Sequence, residues 1–256
     1  MSHFLYDAHA HLGTEDERRE RAEKGIVTLL CGTCFQEIRK IEQLAGADGR
    51  LPSWLIPTYG LHPWHADKEQ VEEFLPVLEQ CSIIGEIGMD SVWCSVPLDI
   101  QEKVFVLQLE YASKAGKPVI LHTKGQEEQI ARLISRFPNT YLVHWYSAEY
   151  GLADYLKLDC YYTIGPDVWW NPAVRRTASQ VPLDRLLIET DGLGAVSWAN
   201  EAGGRYAEAS GALSVEKTLL RSAAAIAEIR SVETENMLEI LHQNFKAFLA
   251  LGKLQP

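Results

Sequence analysis

Short apolar segments alternate with longer amphipathic ones along most of the 256-residue chain. The short segments have the length and continuous apolar character of buried strands, and they are bounded by polar or glycine-containing stretches. Strands are predicted at Phe4–His9, Ile26–Cys31, Leu55–Tyr59, Ser82–Glu86, Pro118–His122, Tyr141–His144, Cys160–Ile164 and Leu186–Glu189.

The segments between these strands have helical periodicity. Helices are predicted at Lys68–Gln80, Asp99–Ala115, Gln126–Phe137 and Ala148–Leu156, with two more near the end at Leu213–Ile229 and Glu233–Leu251. Within the second of them, Val104, Leu107 and Tyr111 share one helix face. The stretch 191–211 is rich in Gly, Ala and Ser, and is predicted to be a long functional or mobile loop.

Alternation of apolar strands with helices is typical of a parallel sheet covered by helices. About eight such units in a chain of this length predict an α/β fold, the (β/α)8 TIM barrel, as a single domain over residues 1–256. The alternative is an open doubly wound sheet, which usually has a glycine-rich phosphate loop after its first strand. No such loop follows Phe4–His9.

Composition narrows the class of protein. The formal net charge is −11, which disfavours broad electrostatic capture of nucleic acid but allows a small site where metal ions neutralise phosphates. The chain shows no signal peptide and no apolar run long enough for a bilayer, and its five cysteines are an odd number. These features predict a cytoplasmic protein without membrane contact, and no obligate protein partner is evident.

Metal-ligand residue types gather at the predicted strand ends. In the segment Asp7-Ala8-His9-Ala10-His11, the two imidazoles lie on the same side of a strand, because alternate residues share a face. Six of the eight histidines lie at or just after strand ends, namely His9, His11, His62, His65, His122 and His144. The carboxylates Glu86 and Asp191 lie at equivalent positions. In barrels this end carries the active site, and four imidazoles with two carboxylates suffice for two divalent ions such as Zn, Mg or Mn.

Two other patterns have a structural and a functional interpretation. Cys31 and Cys34 have the spacing of redox or zinc motifs, but no second C-x-x-C exists, which favours two small residues at a turn. Four tryptophans follow late strands, and they either stack nucleobases or cover the barrel mouth. They are Trp145, Trp169, Trp170 and Trp198.

Motifs along almost the whole chain resemble the TatD-type metal-dependent hydrolases of the amidohydrolase-like barrels. They are Asp7-Ala8-His9-Ala10-His11, Gly60-Leu61-His62-Pro63, Ile84-Gly85-Glu86-Ile87-Gly88-Met89-Asp90, Gln101-Glu102 with Phe105 and Gln108, Pro118-Val119-Ile120-Leu121-His122, Val143-His144, Leu187-Ile188-Glu189-Thr190-Asp191 and Asn244-Phe245. The resemblance implies that one ion is held by His9, His11, Glu86 and Asp191, and a second by Glu86, His122 and His144. Glu86 would bridge them, and the implied activity is that of a nuclease, often a 3′ exonuclease on DNA or RNA.

The chain departs from the family pattern around the substrate. Lys124 follows His122 where an arginine is common, and Gly192 follows Asp191 where a proline often comes soon after. A lysine acts on phosphate as a point charge and lacks the bidentate fork of arginine. The resemblance therefore transfers metal binding more directly than a particular substrate.

The predicted activity is hydrolysis by water activated between two cations, with Asp191 as general base and Glu86 as bridging catalytic carboxylate. Predicted substrate contacts are His62, Lys124, Arg205 and His65. The predicted partner is a nucleic acid or a small phosphoester substrate. Two alternatives stay open: hydrolysis of a small amide, lactone or phosphoester, and a non-catalytic metal-binding barrel. Retention of Glu86 and Asp191 argues against the second, since lining carboxylates are costly without ions.

Overall fold

The computed structural model describes residues 4–204 and 213–254. Eight strands form one parallel sheet in sequential order, so each strand pairs with the next one along the chain. Their bounds are β1 (Tyr6–Ala10), β2 (Val27–Gly32), β3 (Leu55–Tyr59), β4 (Ile83–Gly88), β5 (Val119–His122), β6 (Tyr141–Val143), β7 (Tyr161–Ile164) and β8 (Leu186–Ile188). A doubly wound sheet would reverse the order at a switch point. The sequential order confirms the predicted (β/α)8 barrel.

Helices lie between the strands and after the last one. They are α1 (Glu15–Lys24), α2 (Phe35–Glu42), α3 (Val71–Phe74), α4 (Leu98–Ala115), α5 (Glu127–Ile134), α6 (Leu152–Leu156), α7 (Pro172–Gln180), α8 (Leu193–Gly203), α9 (Val215–Arg230) and α10 (Thr234–Leu251). No helix among the described residues is long and apolar enough to cross a membrane.

The barrel is nearly closed, and a buried polar contact joins its last strand to its first. The Asp191 N–H donates to the His9 carbonyl over 3.1 Å. Asp7 Oδ1 accepts the Thr190 N–H at 2.9 Å, and Asp7 Oδ2 pairs with buried Arg21 of α1 at 2.8 Å. The side chain of Asp7 therefore fixes the segment that carries Asp191.

Several predicted elements differ from the structure: the predicted helix Ala148–Leu156 begins only at Leu152, and two others differ in kind. The segment Lys68–Gln80 is broken into α3 and a 3₁₀ helix, Leu75–Gln80, because Pro76 lacks a backbone donor. The stretch 191–211 was predicted to be a loop, but residues Leu193–Gly203 form α8. Its start is fixed by Glu17 of α1, whose Oε1 accepts the Leu193 N–H at 2.7 Å. The predicted substrate contact Arg205 lies outside the described residues.

Candidate metal centre

His9 and His11, at the end of the first strand, face the carboxylate of Asp191, which follows the last strand. His9 lies in β1 and His11 follows directly, and their rings meet edge to face with centroids 5.2 Å apart. Both Nε2 atoms lie 3.3 Å from Asp191 Oδ1. The two imidazoles therefore face the same carboxylate oxygen.

Glu86 of β4 lies between two groups of imidazoles. Its Oε2 is 3.5 Å from His9 Nε2 and 3.6 Å from His11 Nε2. Its Oε1 is 2.6 Å from His122 Nδ1 and 3.2 Å from His144 Nε2. One buried carboxylate thus faces nitrogen atoms from three different strand ends, which is the arrangement needed for a bridging ligand.

His62 is predicted as a substrate contact, but it lies beside Glu86 and the imidazoles and not at the rim of the pocket. It is buried, and its Nε2 is 3.7 Å from Glu86 Oε2. Burial lowers the pKa of His62 to about 4, so this ring is neutral near pH 7. A neutral imidazole is the form that binds metal.

The cluster attracts positive charge. Burial alone would raise the pKa of Glu86, but the facing rings of His144 and His122 outweigh it and hold that pKa well below its ordinary value. For His122, burial opposes protonation, yet Glu86 and Asp90 raise its pKa to about 9. Without another cation, the His122 ring therefore retains its proton near pH 7.

The donor set fits divalent cations. His9 Nε2 and Asp191 Oδ1 are buried, point at each other and lack hydrogen-bond partners among the described residues. Buried polar atoms are normally paired, so two unpaired atoms aimed at one point indicate a ligand. Potential ligand atoms lie within 4.8 Å of one another in three sets: His9 with Glu86 and His144, His9 with His11 and Asp191, and His62 with Glu86 and His122.

Three residues behind the cluster were not predicted as site residues. Asp90 Oδ2 lies 3.2 Å from His122 Nε2, Glu189 Oε1 lies 3.1 Å from His144 Nδ1, and Cys31 Sγ lies 3.2 Å from His9 Nδ1. Partners of this kind fix the orientation of metal-binding rings. Period-two spacing from Glu86 could have indicated Asp90, because residues 86, 88 and 90 would share one face of a strand that continued past Gly88.

A pocket of about 520 Å³ opens above the cluster. Lys124 and His65, both predicted as substrate contacts, line it together with Trp64, Trp93, Trp145 and Trp198. Lys124 Nζ donates to Ser147 Oγ over 2.9 Å. Trp198 belongs to α8 and not to a loop, and Trp93 was not among the tryptophans singled out from the sequence. Within the described part of the chain, every predicted site residue except the fully buried His9 therefore lines this one cavity.

The fold and this cluster define a metal-dependent hydrolase of the barrel type. The model of the family described as "TatD related DNase" matches residues 6–250. The chain therefore belongs to the TatD-related DNase family, as its motifs predicted.

Relatives and solved structures agree with this assignment. The chain is similar to the metal-dependent hydrolase YabD of Bacillus subtilis, with 28% identity over 73% of this chain and 79% of YabD. It is 30% identical to the 3′-5′ ssDNA/RNA exonuclease TatD of a Rahnella species, over 64% of this chain and 65% of that protein. The crystal structure of YjjV, a TatD homologue from Escherichia coli, matches with a TM-score of 0.78 at 22% identity, covering 97% of this chain and 98% of YjjV. The last comparison bears on the fold alone.

Proposed function

We propose that this protein is a phosphodiesterase that uses two divalent cations to remove nucleotides from the 3′ end of nucleic acid. The observation that carries the proposal is Glu86, whose two carboxylate oxygens face separate groups of imidazoles. The name of the Rahnella relative, a 3′-5′ exonuclease, supports the choice of bond.

The proposed ligand sets follow the side chains around Glu86. His9, His11 and Asp191 would hold one cation together with Glu86, and Glu86 would share the second cation with two further imidazoles, His122 and His144. Two divalent cations at such a site supply Lewis-acid activation of water and neutralise the charge of a diester.

The chain's own residues have distinct roles in the proposed reaction. Asp191 accepts the proton of the attacking water through its carboxylate, which is 18% exposed and therefore reachable from the pocket. Lys124 neutralises one phosphate oxygen as a point charge. His62 and His65 border the same pocket, where His62 closes the floor beside Glu86. Arg205 remains a predicted contact on the substrate.

Substitution of Asp191 tests the general base. Asp191→Asn should retain most of the bound metal, because an amide oxygen still binds a cation, but should lower kcat by about 10²–10⁴-fold. Metal content by elemental analysis and turnover of a 3′-labelled single strand are measured on the same preparation. Glu37→Gln, which also changes a carboxylate on the pocket lining but accepts from the Thr33 N–H at 3.0 Å, is the matched control. Normal turnover in Asp191→Asn would exclude the role.

A substrate panel separates the alternatives. Metal-supplemented protein is assayed with the labelled strand, bis-p-nitrophenyl phosphate, and simple esters, lactones and amides. The proposal expects cleavage of the phosphodiesters. Cleavage of carbon-centred substrates alone would replace it with hydrolysis of a small amide or lactone, and metal binding without any turnover would indicate a non-catalytic barrel.

A further inference from the structure

Three indole rings form a continuous series from the metal centre to the rim of the pocket. The centroid of the Trp145 ring lies 6.5 Å from that of His144, Trp198 lies 6.1 Å from Trp145, and Trp93 lies 5.9 Å from Trp198. Each contact is edge to face, a favourable geometry for aromatic pairs. We call Trp145, Trp198 and Trp93 the aromatic arc.

The inner end of the arc is held firmly. The Trp145 indole N–H donates to Asp167 Oδ1 over 2.7 Å, and its backbone N–H donates to Thr163 Oγ1 over 3.0 Å. Asp167 also accepts from Asn171 Nδ2 at 2.7 Å, which fixes the carboxylate. These hydrogen bonds fix the position of the Trp145 ring, against which Trp198 packs.

The outer end of the arc is open to solvent. Trp93 is 53% and Trp198 is 48% exposed, although both line the pocket. An exposed cluster of large apolar side chains beside a catalytic cavity is a mark of a binding surface. About half of each indole surface is therefore accessible to a planar ligand group.

The charges around the arc limit how a polyanion can bind. Among the described residues that line the pocket, Lys124 is the one lysine or arginine, whereas Glu37, Glu127 and Asp167 also line it. Lys124 Nζ lies 4.7 Å from the centre of the Trp93 ring. Apart from the diester bound at the cations, a single ammonium beside carboxylates neutralises about one phosphate, so further affinity for a strand has to come from groups other than phosphates.

We propose that the exposed faces of Trp93 and Trp198 bind the unpaired base at the 3′ end of the substrate strand, with Lys124 beside its phosphate. This subsite rests on the proposed function, because the last internucleotide phosphate must reach the cluster around Glu86. Every nucleobase presents a π-face, so stacking on indoles holds a terminal nucleotide without regard to sequence. The pocket volume of about 520 Å³ is in the range of small-molecule sites and suits one nucleotide.

The test compares two single strands of the same sequence, one with a normal 3′ nucleotide and one with an abasic 3′ residue. Wild-type protein should remove the normal nucleotide about 5- to 150-fold faster, as kcat/KM, because one base–aromatic stack contributes roughly 1–3 kcal/mol. Trp93→Ala and Trp198→Ala should each bring this ratio towards one, while Trp93→Phe and Trp198→Phe should keep most of it. Because the ratio is taken within each variant, general damage to the metal centre cancels.

Phe4→Ala is the matched control. Phe4 is an aromatic residue 77% exposed, and it stacks on His242 at 5.7 Å, just before β1 and therefore at the opposite end of the barrel from the pocket. Its removal should leave the ratio unchanged. A ratio near one in wild-type protein that cleaves both strands would overturn the subsite and leave the proposed function intact.

A binding measurement makes failure of the two proposals distinguishable. Quenching of indole fluorescence is recorded with the same two strands carrying a phosphorothioate at the last linkage, which slows hydrolysis. Stronger quenching by the base-bearing strand, lost in Trp93→Ala, supports the subsite even if no diester is cleaved and the proposed function fails. Equal quenching by both strands, without diester cleavage, would overturn both.

Discussion

At the scale of single residues, the second ring nitrogens of His9 and His144 have partners as well defined as those of the nitrogens that face Glu86. His144 Nδ1 lies 3.1 Å from Glu189 Oε1, and His9 Nδ1 lies 3.2 Å from Cys31 Sγ. A ring that binds metal through one nitrogen donates the N–H of the other, which fixes both tautomer and orientation. Glu189 is fully buried, and its Oε2 has no hydrogen-bond partner among the described residues. Burying this carboxylate therefore costs desolvation free energy. We infer that the side chain lies there because it orients the His144 ring.

Glu189→Gln tests this orientation. The amide keeps the size of the side chain but removes the charge behind His144, and metal affinity should fall by about 10–100-fold. Competition with a chromophoric chelator measures the affinity. Glu37→Gln is the control, since Glu37 lines the same pocket but accepts from the Thr33 N–H at 3.0 Å. Equal affinities in the two variants would contradict an orienting role for Glu189.

Residue patterns predicted the imidazoles better than their supports. His9 and His11 could be placed together because strand alternation is a local rule, and Asp191 because barrel strands end at one face. Contacts such as Cys31 Sγ to His9 depend on the register between β1 and β2 and on ring rotation. Neither is encoded in the spacing of residues along one strand.

At the scale of elements, α8 shows how a helix can be missed. Its segment contains Gly194, Gly203 and several small residues, a composition typical of loops. The backbone donor at its first residue, Leu193, is satisfied by Glu17 of α1, which lies far away in sequence. Local composition could not predict this helix, because a contact between distant elements fixes its beginning.

The junction between β8 and β1 is the element-scale feature with the clearest energetic consequence. Asp7→Ala would remove the acceptor for the Thr190 N–H and leave Arg21, which is 1% exposed, as a buried charge without its carboxylate. Breaking a buried pair in this way costs about 3–5 kcal/mol of unfolding free energy. Urea unfolding with chelator present measures this loss without a contribution from bound metal.

The matched control for the junction is an exposed ion pair on the same helix. Asp16→Ala removes the 2.6 Å contact with Arg19, where both side chains are mostly in solvent. It should change the unfolding free energy by less than about 1 kcal/mol. If Asp7→Ala were equally mild, the barrel would close without the help of this side chain.

At the scale of the whole molecule, the fold and the position of the candidate site could be predicted from the sequence, whereas the substrate surface could not. Strand–helix alternation repeats along the chain, so every repeat of the pattern predicts the same barrel. Because the C-terminal ends of barrel strands lie on one face, ligand residues at those ends are predicted to lie together. The pocket rim is made of Trp93 after β4, Trp145 after β6 and Trp198 in α8. The way these segments meet above the metal centre depends on the conformation of loops. The sequence of a loop has no periodic pattern from which that conformation could be predicted.

The charge of the whole protein predicts an unusual salt dependence. A net charge of −11 repels a polyanion, and Lys124 is the one lysine or arginine on the described pocket lining. For single strands, the logarithm of the association constant falls by about 0.7 per logarithmic unit of salt for each phosphate neutralised. We therefore expect a slope near −0.7 or shallower for a phosphorothioate-linked strand, measured by fluorescence titration between about 50 and 200 mM salt. Lys124→Ala should flatten it, and Lys124→Arg should preserve it. A slope of several units would instead require several lysines or arginines of the protein along the path of the bound strand. Such a slope would contradict binding through one phosphate and one stacked base.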